Sequence, residues 1–395
     1  MGFVIVFWVL FFILFYTYAG YALILWTVLK LKKSFFPERK NKVPETYEPE
    51  VCLFVTAFNE KEVVDRKVQN SFSLNYPQTK MQYIWMTDGS DDDTPGLLSK
   101  YPRIEVHHQP ERRGKIHAMN RGIAFVKAPV IIFSDANTTL GKESIREIVR
   151  CFADPRVGCV AGEKRIVERE KDDAAGAGEG TYWKFESWVK KMDGALNSAV
   201  GGVGELFAIR KELFEEVEND TILDDFIISL RIAKKGYRIA YAPEAYAEET
   251  ASANVKEELK RKIRIAAGGV QTLVRLKELL NPFRYGLLTW QYVSHKVLRW
   301  TIAPVSLFLF MIVNGLIVVL QAGFSPGNFY TVFFYFQLIM YLFAFAGWYF
   351  ENRQIRQKLF FVPYYFVSIN YASVRGIIRF FKGRQTVNWE RSKRA

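Results

Sequence analysis

The run VCLFVTAFNE at positions 51–60 carries the reading of this chain. Its first eight residues are apolar apart from Thr56, and a polar, proline-containing stretch precedes them. A short run of this kind, rich in β-branched and aromatic side chains, reads as a strand buried on both faces. Working outward, a charged helical stretch follows around 60–73, and further strands are expected at 82–87, 104–107 and 130–134. Strands alternating with helical stretches predict an α/β architecture with a mostly parallel, doubly wound sheet. Ligands of such sheets sit beyond the carboxyl ends of the strands, and those ends here carry Asn59, Asp88 and Asp135.

The flanks differ in composition. No charged residue occurs between positions 2 and 29, and Lys30, Lys32 and Lys33 follow. A spanning helix needs roughly 20 apolar residues, so this stretch suffices. A cleaved leader is the alternative, opposed by the missing basic n-region and the length of the apolar run. The lysines place the segment after them in the cytosol. Residues 300–350 are again free of Asp, Glu, Lys and Arg, and Ser325-Pro326-Gly327-Asn328 interrupts them, as in a hairpin of two spanning helices. Residues 359–381 are apolar but contain Pro363, Arg375 and Arg379, and read as re-entrant or interfacial. Residues 281–299 read as a helix lying in the interface. The expected organisation is a transmembrane helix (1–30), a linker (31–49), a catalytic domain (50–280), an interfacial helix (281–299), a transmembrane hairpin (300–350) and an interfacial or re-entrant segment with a basic tail (351–395).

The formal net charge of +13 is concentrated beside the apolar runs and at the C-terminus, as membrane flanks require, so no nucleic-acid partner is expected. Cys52, Cys151 and Cys159 show no metal-ligand spacing, and Cys52 and Cys159 fall in runs that read as buried strands.

Four groups of residues could carry chemistry. Asp88 and Asp135 each follow an apolar strand. One such acid commonly caps a helix or a turn, but a pair on neighbouring strands can hold a nucleotide and a divalent cation bridging a diphosphate. Glu111-Arg112-Arg113-Gly114-Lys115 offers close backbone approach and charge-assisted phosphate contacts, or simply a basic helix start. Asp224-Asp225 opens a helical stretch, where acids are favourable with the helix dipole and where one of them could serve as a general base. Arg261-Lys262-Ile263-Arg264-Ile265 is either a solvated basic face or a set of cations for a leaving diphosphate.

In this order the segments resemble family 2 glycosyltransferases of the GT-A fold, over roughly residues 50–271. The likeness is to the membrane-integrated branch that includes cellulose, hyaluronan and poly-N-acetylglucosamine synthases. Thr56-Ala57-Phe58-Asn59-Glu60 looks like the family's nucleotide-binding start, and Asp88 like its aspartate on the base. Arg113-Gly114-Lys115 through Asn120 is similar to its R-x-G-K-x-x-A-x-N segment. Asp135-Ala136-Asn137 stands at the metal-binding D-x-D, with Asn137 in place of an acid. Gly201-Gly202-Val203-Gly204-Glu205 looks like the acceptor-side strand. Asp224-Asp225 stands at the family's E-D, and Arg261 to Ile265 at (Q/R)-x-x-R-W. Trp389 and Arg394 resemble a W-x-x-x-x-R signature.

The resemblance implies a nucleotide site of Thr56, Asn59, Glu60, Asp88, Gly114, Lys115 and Asp135. It implies Mg2+ or Mn2+ on Asp135 and Asn137, and catalysis by Asp225 with Asp224, Arg261 and Arg264. Ile265, where processive synthases carry tryptophan, bears on polymer length rather than on sugar transfer. The implied reaction is inverting transfer from a UDP-sugar to a glycan hydroxyl at the cytosolic membrane face, in extracellular or cell-surface polysaccharide synthesis. The alternative is transfer of a single sugar to a lipid such as a polyprenyl phosphate or a ceramide-like acceptor. The implied setting is a bacterial inner membrane, with membrane lipid as a further partner.

Overall fold

The computed structural model describes residues 1–35, 47–167, 174–250, 255–352 and 358–383. Most of the expected linker, and Trp389 and Arg394 in the tail, lie outside the described residues.

The run at 51–60 forms β1 (Val51–Ala57), and its alternation shows why it is continuously apolar. Cys52 and Phe54 join a core on one face of the sheet, with Ile131 and Phe133. Val51, Leu53 and Val55 join a second core on the other face, with Val130 and Ile132. A strand covered on both faces has no position left for a polar side chain. The other strands are β2 (Met81–Asp88), β3 (Glu105–Gln109), β4 (Val130–Asp135), β5 (Thr139–Leu140), β6 (Val157–Val167), β7 (Leu206–Arg210) and β8 (Arg238–Thr250). Their order in the sheet is β3-β2-β1-β4-β7-β6-β8-β5. The expected strands are present, and the sheet is mostly parallel: β1 pairs parallel with β2 and β4, β2 with β3, and β6 with β8. β7 runs antiparallel between β4 and β6, and the short β5 antiparallel to β8.

The register places the chemistry. Thr56 lies opposite Asp135, and Ala57 opposite Thr87, so β1, β2 and β4 finish level with one another. The chain continues from β1 to β2 on one side and reaches β4 on the other, which makes this the switch point where a crevice opens.

Among the described residues, three helices are long and apolar enough to cross a membrane: Gly2–Phe35, Ile302–Gln321 and Phe329–Glu351. The first packs on the second through Phe7, Leu10, Phe310 and Ile317. Asn314 donates to Gln337 at 2.8 Å, a buried polar contact between the second and third. Short helical segments run from Pro282–Tyr285 to Leu298–Trp300. Their Gln291 and His295, together with Tyr21 of the first helix, converge on buried Asp193, with His295 Nδ1 2.6 Å from its Oδ2 and Tyr21 donating to Oδ1 at 2.5 Å. The helix Lys358–Phe381 lies against both Phe329–Asn352 and Val255–Arg275. Close approach there requires Gly376, because a Cβ at that position would stand 2.6 Å from the Ala266 Cβ.

Candidate active site

A cavity of about 590 Å³ opens beyond the carboxyl ends of β1, β2 and β4 and runs toward the membrane helices. Its walls bring together Thr56, Glu60, Asp88, Gly114, Lys115, Asp135, Asn137, Asp224, Asp225, Arg261 and Arg264, residues spread over most of the α/β segment. Of the residues expected here, Asn59 is not in the wall. Its backbone adopts φ 55°, and its side chain donates to Asp91 Oδ1 at 2.6 Å and accepts from the Asp91 N–H at 3.0 Å. Asn is among the residues that tolerate this left-handed conformation, so it shapes the turn leaving β1.

Asp88 ends β2 and is nearly buried. Its Oδ2 accepts from the backbone N–H groups of Arg113 and Gly114, at 3.0 and 2.6 Å. Gly114 has φ 100°, a conformation that admits glycine readily and lets the loop close over the carboxylate. Asp88 Oδ1 is buried without a hydrogen-bond partner among the described residues. An orphaned buried acceptor is costly unless a ligand satisfies it, so this oxygen suits a donor group on a bound base or ribose.

Lys115 begins the helix Lys115–Gly122 and reaches two acids at once: Nζ lies 2.9 Å from Asp135 Oδ1 and 3.0 Å from Asp224 Oδ2. Burial alone would push its ammonium down, but the two carboxylates hold it above its ordinary range. The position between those carboxylates is therefore suited to a cation. Asp135, Asp224 and the Asn137 amide are hard oxygen donors, which fit Mg2+ or Mn2+. Among the described residues no group of three or more His, Cys, Asp or Glu is arranged to hold a metal. The donor set thus fits a cation that takes part of its coordination from phosphate oxygens.

Asp224 and Asp225 open the helix Asp224–Lys234 but have different surroundings. Asp224 is paired with Lys115. Asp225 has no ion pair among the described residues and faces the cavity beside Gly202 and Gly204, where an added Cβ would come within 3.4 Å and 3.7 Å of its side chain. Burial first, and then the charge of Asp224, push the Asp225 carboxyl up to about 7. Desolvation disfavours a charged carboxylate, and a neighbouring like charge adds to the effect. Arg264 is half-buried beside these acids, its guanidinium lowered by desolvation and then by Arg261. Arg261 pairs with Glu258 at 2.8 Å.

Several wall or support residues gave no motif signal. Glu249, near the end of β8, accepts from Asn137 Nδ2 at 3.3 Å and pairs with Lys164, which also pairs with Glu205. Lys67 is fully buried on the apolar face of the helix Val64–Phe72 and donates to Ser134 Oγ at 2.7 Å and Thr138 O at 2.9 Å, bracing the turn that carries Asp135. Burial pushes its ammonium down to about 7. A lysine at helical spacing among Val64, Val68 and Ser71 was the one available hint.

A mannosyltransferase from Pyrobaculum calidifontis, solved in complex with GDP-Man and Mn2+, shares this fold with a TM-score of 0.70 at 19% identity, covering 96% of this chain and 99% of that one. The architecture is GT-A. Residues 49–268 match the family described as glycosyltransferase-like family 2, more than half of the chain, and the chain belongs to that family. Among curated relatives, the poly-beta-1,6-N-acetyl-D-glucosamine synthase of Staphylococcus aureus (strain COL) is 29% identical over 250 residues, 60% of this chain and 59% of that one. The beta-monoglucosyldiacylglycerol synthase of Synechocystis sp. is 25% identical over 282 residues, 68% of this chain and 55% of that one. The chain thus matches less than two thirds of the length of either relative.

Proposed function

We propose that this glycosyltransferase moves a hexose from a UDP-sugar to an acceptor hydroxyl, with inversion, at the cytosolic face of a membrane. The observation that carries this reading is the unequal treatment of two adjacent acids: Asp224 is neutralised by Lys115, whereas Asp225 faces the cavity with no ion pair among the described residues and with a raised carboxyl pKa. A base poised near neutrality is what proton abstraction from a hydroxyl needs. The acceptor O–H proton passes to the Asp225 carboxylate as the oxygen bonds to the anomeric carbon. On the opposite side the bond to the nucleotide diphosphate breaks, and the configuration inverts. Asp88 would receive the uridine, with Thr56 and Glu60 beside it. Lys115, Arg261 and Arg264 supply positive charge to the leaving diphosphate, the electrostatic contribution expected to dominate. A divalent cation on Asp135 and Asn137, Mg2+ or Mn2+, would add Lewis-acid stabilisation of the same oxygens. Lys30, Lys32 and Lys33, in the last turns of the first candidate span, support the cytosolic orientation.

A glycan acceptor, as in polysaccharide synthesis, is supported by the name of the Staphylococcus aureus relative. A lipid acceptor is favoured by the cavity itself, whose far wall includes Tyr18 of the first candidate span and Val362, Phe366 and Ile369 of the helix Lys358–Phe381. The test is Asp225→Asn. Transfer should fall by roughly 10² to 10⁴, while calorimetry shows UDP binding retained. Transfer at the unaltered rate would overturn the base assignment. Radiolabelled donor then separates polymeric from lipid-linked product.

A further inference from the structure

The far end of the cavity differs in charge from the acids at the strand termini. The helix Ala174–Leu196 presents Tyr182, Trp183, Glu186 and Lys190 to it, and the segment before the second candidate span presents Lys296 and Arg299. Lys190 is 5% exposed, yet among the described residues it makes no hydrogen bond or ion pair; its Nζ stands 5.5 Å from the centre of the Trp183 ring. Lys296 and Arg299 share one carboxylate, Glu186, with Arg299 Nη1 at 2.7 Å from Oε2. His295 Nε2 lies 3.3 Å from the same Glu186. Burial holds the Lys296 ammonium below its ordinary range, Glu186 opposes this, and Lys190 adds to it. Positive charge is thus in surplus in a desolvated place, an arrangement that is unfavourable until an anion joins it.

The mouth of this end is apolar. Val362 lines the cavity and is 59% exposed, on the same helical stripe as Phe366 and Ile369. That stripe belongs to Lys358–Phe381, which packs on the candidate span Phe329–Glu351. Tyr18 of the first candidate span closes the other side, donating to Asn370 and meeting the Phe366 ring at 5.0 Å. A neutral glycan would leave Lys190 buried without counter-charge. A soluble anion would gain nothing from the apolar mouth.

We propose that this end of the cavity binds a phosphate-bearing lipid, its headgroup anion among Lys190, Lys296 and Arg299 and its hydrocarbon leaving past Val362, Phe366 and Ile369. The inference rests on the lipid reading of the acceptor, in which the lipid carries the hydroxyl presented to Asp225. It makes Lys190 a specificity residue for the headgroup.

The test uses the full chain in dodecyl maltoside micelles, a phosphate-free matrix, doped with phosphatidylglycerol or, as a probe of the anion site alone because it carries no alcohol hydroxyl, with a polyprenyl monophosphate. Each is matched by its phosphate-free partner, diacylglycerol or the polyprenol, and lipid retention is read by native mass spectrometry. At least one phosphate lipid should be retained over its partner, and Lys190→Met should lower that retention roughly tenfold or more, the scale of one charge-assisted hydrogen bond. Lys190→Arg should restore it, and UDP affinity should be the same in all three chains. Equal retention of both members of both pairs overturns the proposal. So does an effect of Lys190→Met on UDP affinity, which would assign the cation to the donor diphosphate. Transfer to a glycan with no phosphate-dependent retention removes the lipid inference and leaves the transferase reading standing. Failure of every chain to bind UDP would instead strike the transferase reading, with lipid retention still deciding the inference.

Discussion

The two ends of the cavity place their charges on different parts of the secondary structure. Asp88 and Asp135 close strands, and Asp224 and Asp225 open a helix, so each acid stands where the backbone ends and its amide groups are available. Helix N-termini stabilise acids whatever their chemistry, and strand ends leave turn amides to be satisfied. Lys190 and Arg299, by contrast, stand within helical segments and set their charged ends over aromatic rings: Lys190 over Trp183 at 5.5 Å, and Arg299 over Phe185 at 5.4 Å. Cation–π contact helps a long cation remain in a dry place, for Lys190 with no ion pair among the described residues and for Arg299 beside a carboxylate shared with Lys296. Acids at element ends are local features, whereas cations on aromatic walls exist only once several helices have met. On the reading proposed above, the contrast also divides the roles: the acidic end would handle proton and metal, and the cationic end an anchoring anion.

The contrast can be broken hardest at Lys115, the cation paired with both Asp135 and Asp224. Lys115→Met leaves Asp135 and Asp224 facing each other without their shared counter-ion. Transfer is expected to fall by roughly 10² to 10³. Because Lys115 lowers the Asp225 carboxyl, its removal should also move the acidic limb of the kcat/KM profile to higher pH. A limb that stays in place, with activity near that of the unaltered chain, would sink this account.

A second measurement sharpens the same end. Asp225 must be ionised to act as a base, so kcat/KM should drop about tenfold per pH unit below about 7. Stability moves the opposite way. A carboxyl raised from 3.8 to about 7 on folding means that the folded chain holds the extra proton between those values. Its contribution to stability is complete below the ordinary value and is lost as pH rises through about 7. Asp225→Asn should therefore raise Tm relative to the unaltered chain at pH 8 and leave it nearly unchanged at pH 4, as read by thermal unfolding in detergent.

The membrane-side end is tested more gently through Gly376→Ala. The added methyl would meet the Ala266 Cβ at 2.6 Å and the Ile263 carbonyl at 2.7 Å. Overpacking of this kind costs about 1–3 kcal/mol and should push Lys358–Phe381 away from the helix that carries Arg261 and Arg264, lowering Tm. Asn137→Asp should have the smallest effect. It loses the amide donated to Glu249 and sets a second negative charge there, costing about 1 kcal/mol without metal. Mn2+ should reverse that loss if position 137 faces the cation, and titration calorimetry would show the tighter binding directly.

Much of the catalytic half was legible residue by residue. β1 announced itself through an apolar run that only a doubly covered strand tolerates, and Asp88 and Asp135 followed from where such strands stop. Asn59 was misleading for a physical reason: the sequence shows a polar residue at a strand end but not its φ, and a left-handed residue turns its side chain back onto the loop. Glu249, Lys164 and Lys67 were illegible because nothing local distinguishes a buried, paired charge from a solvated one. The segment 359–381 shows only a mixture of apolar and charged residues in the sequence. Its seat between two other helices rests on close approaches at Gly376 and at Gly347, where a Cβ would meet the Phe360 carbonyl at 2.4 Å.

Local pattern was thus enough for the element types, the apolar helices and the acids at strand and helix ends, because periodicity and termini are properties of neighbouring residues. It could not say which of two adjacent aspartates keeps a counter-ion. That choice depends on Lys115 arriving from a distant helix to within 3.0 Å of Asp224, and electrostatic interaction depends on distance in space rather than along the chain. The cationic end depends on the same kind of convergence, since which groups stand beside Lys190, Lys296 and Arg299 is decided by the helices that meet there.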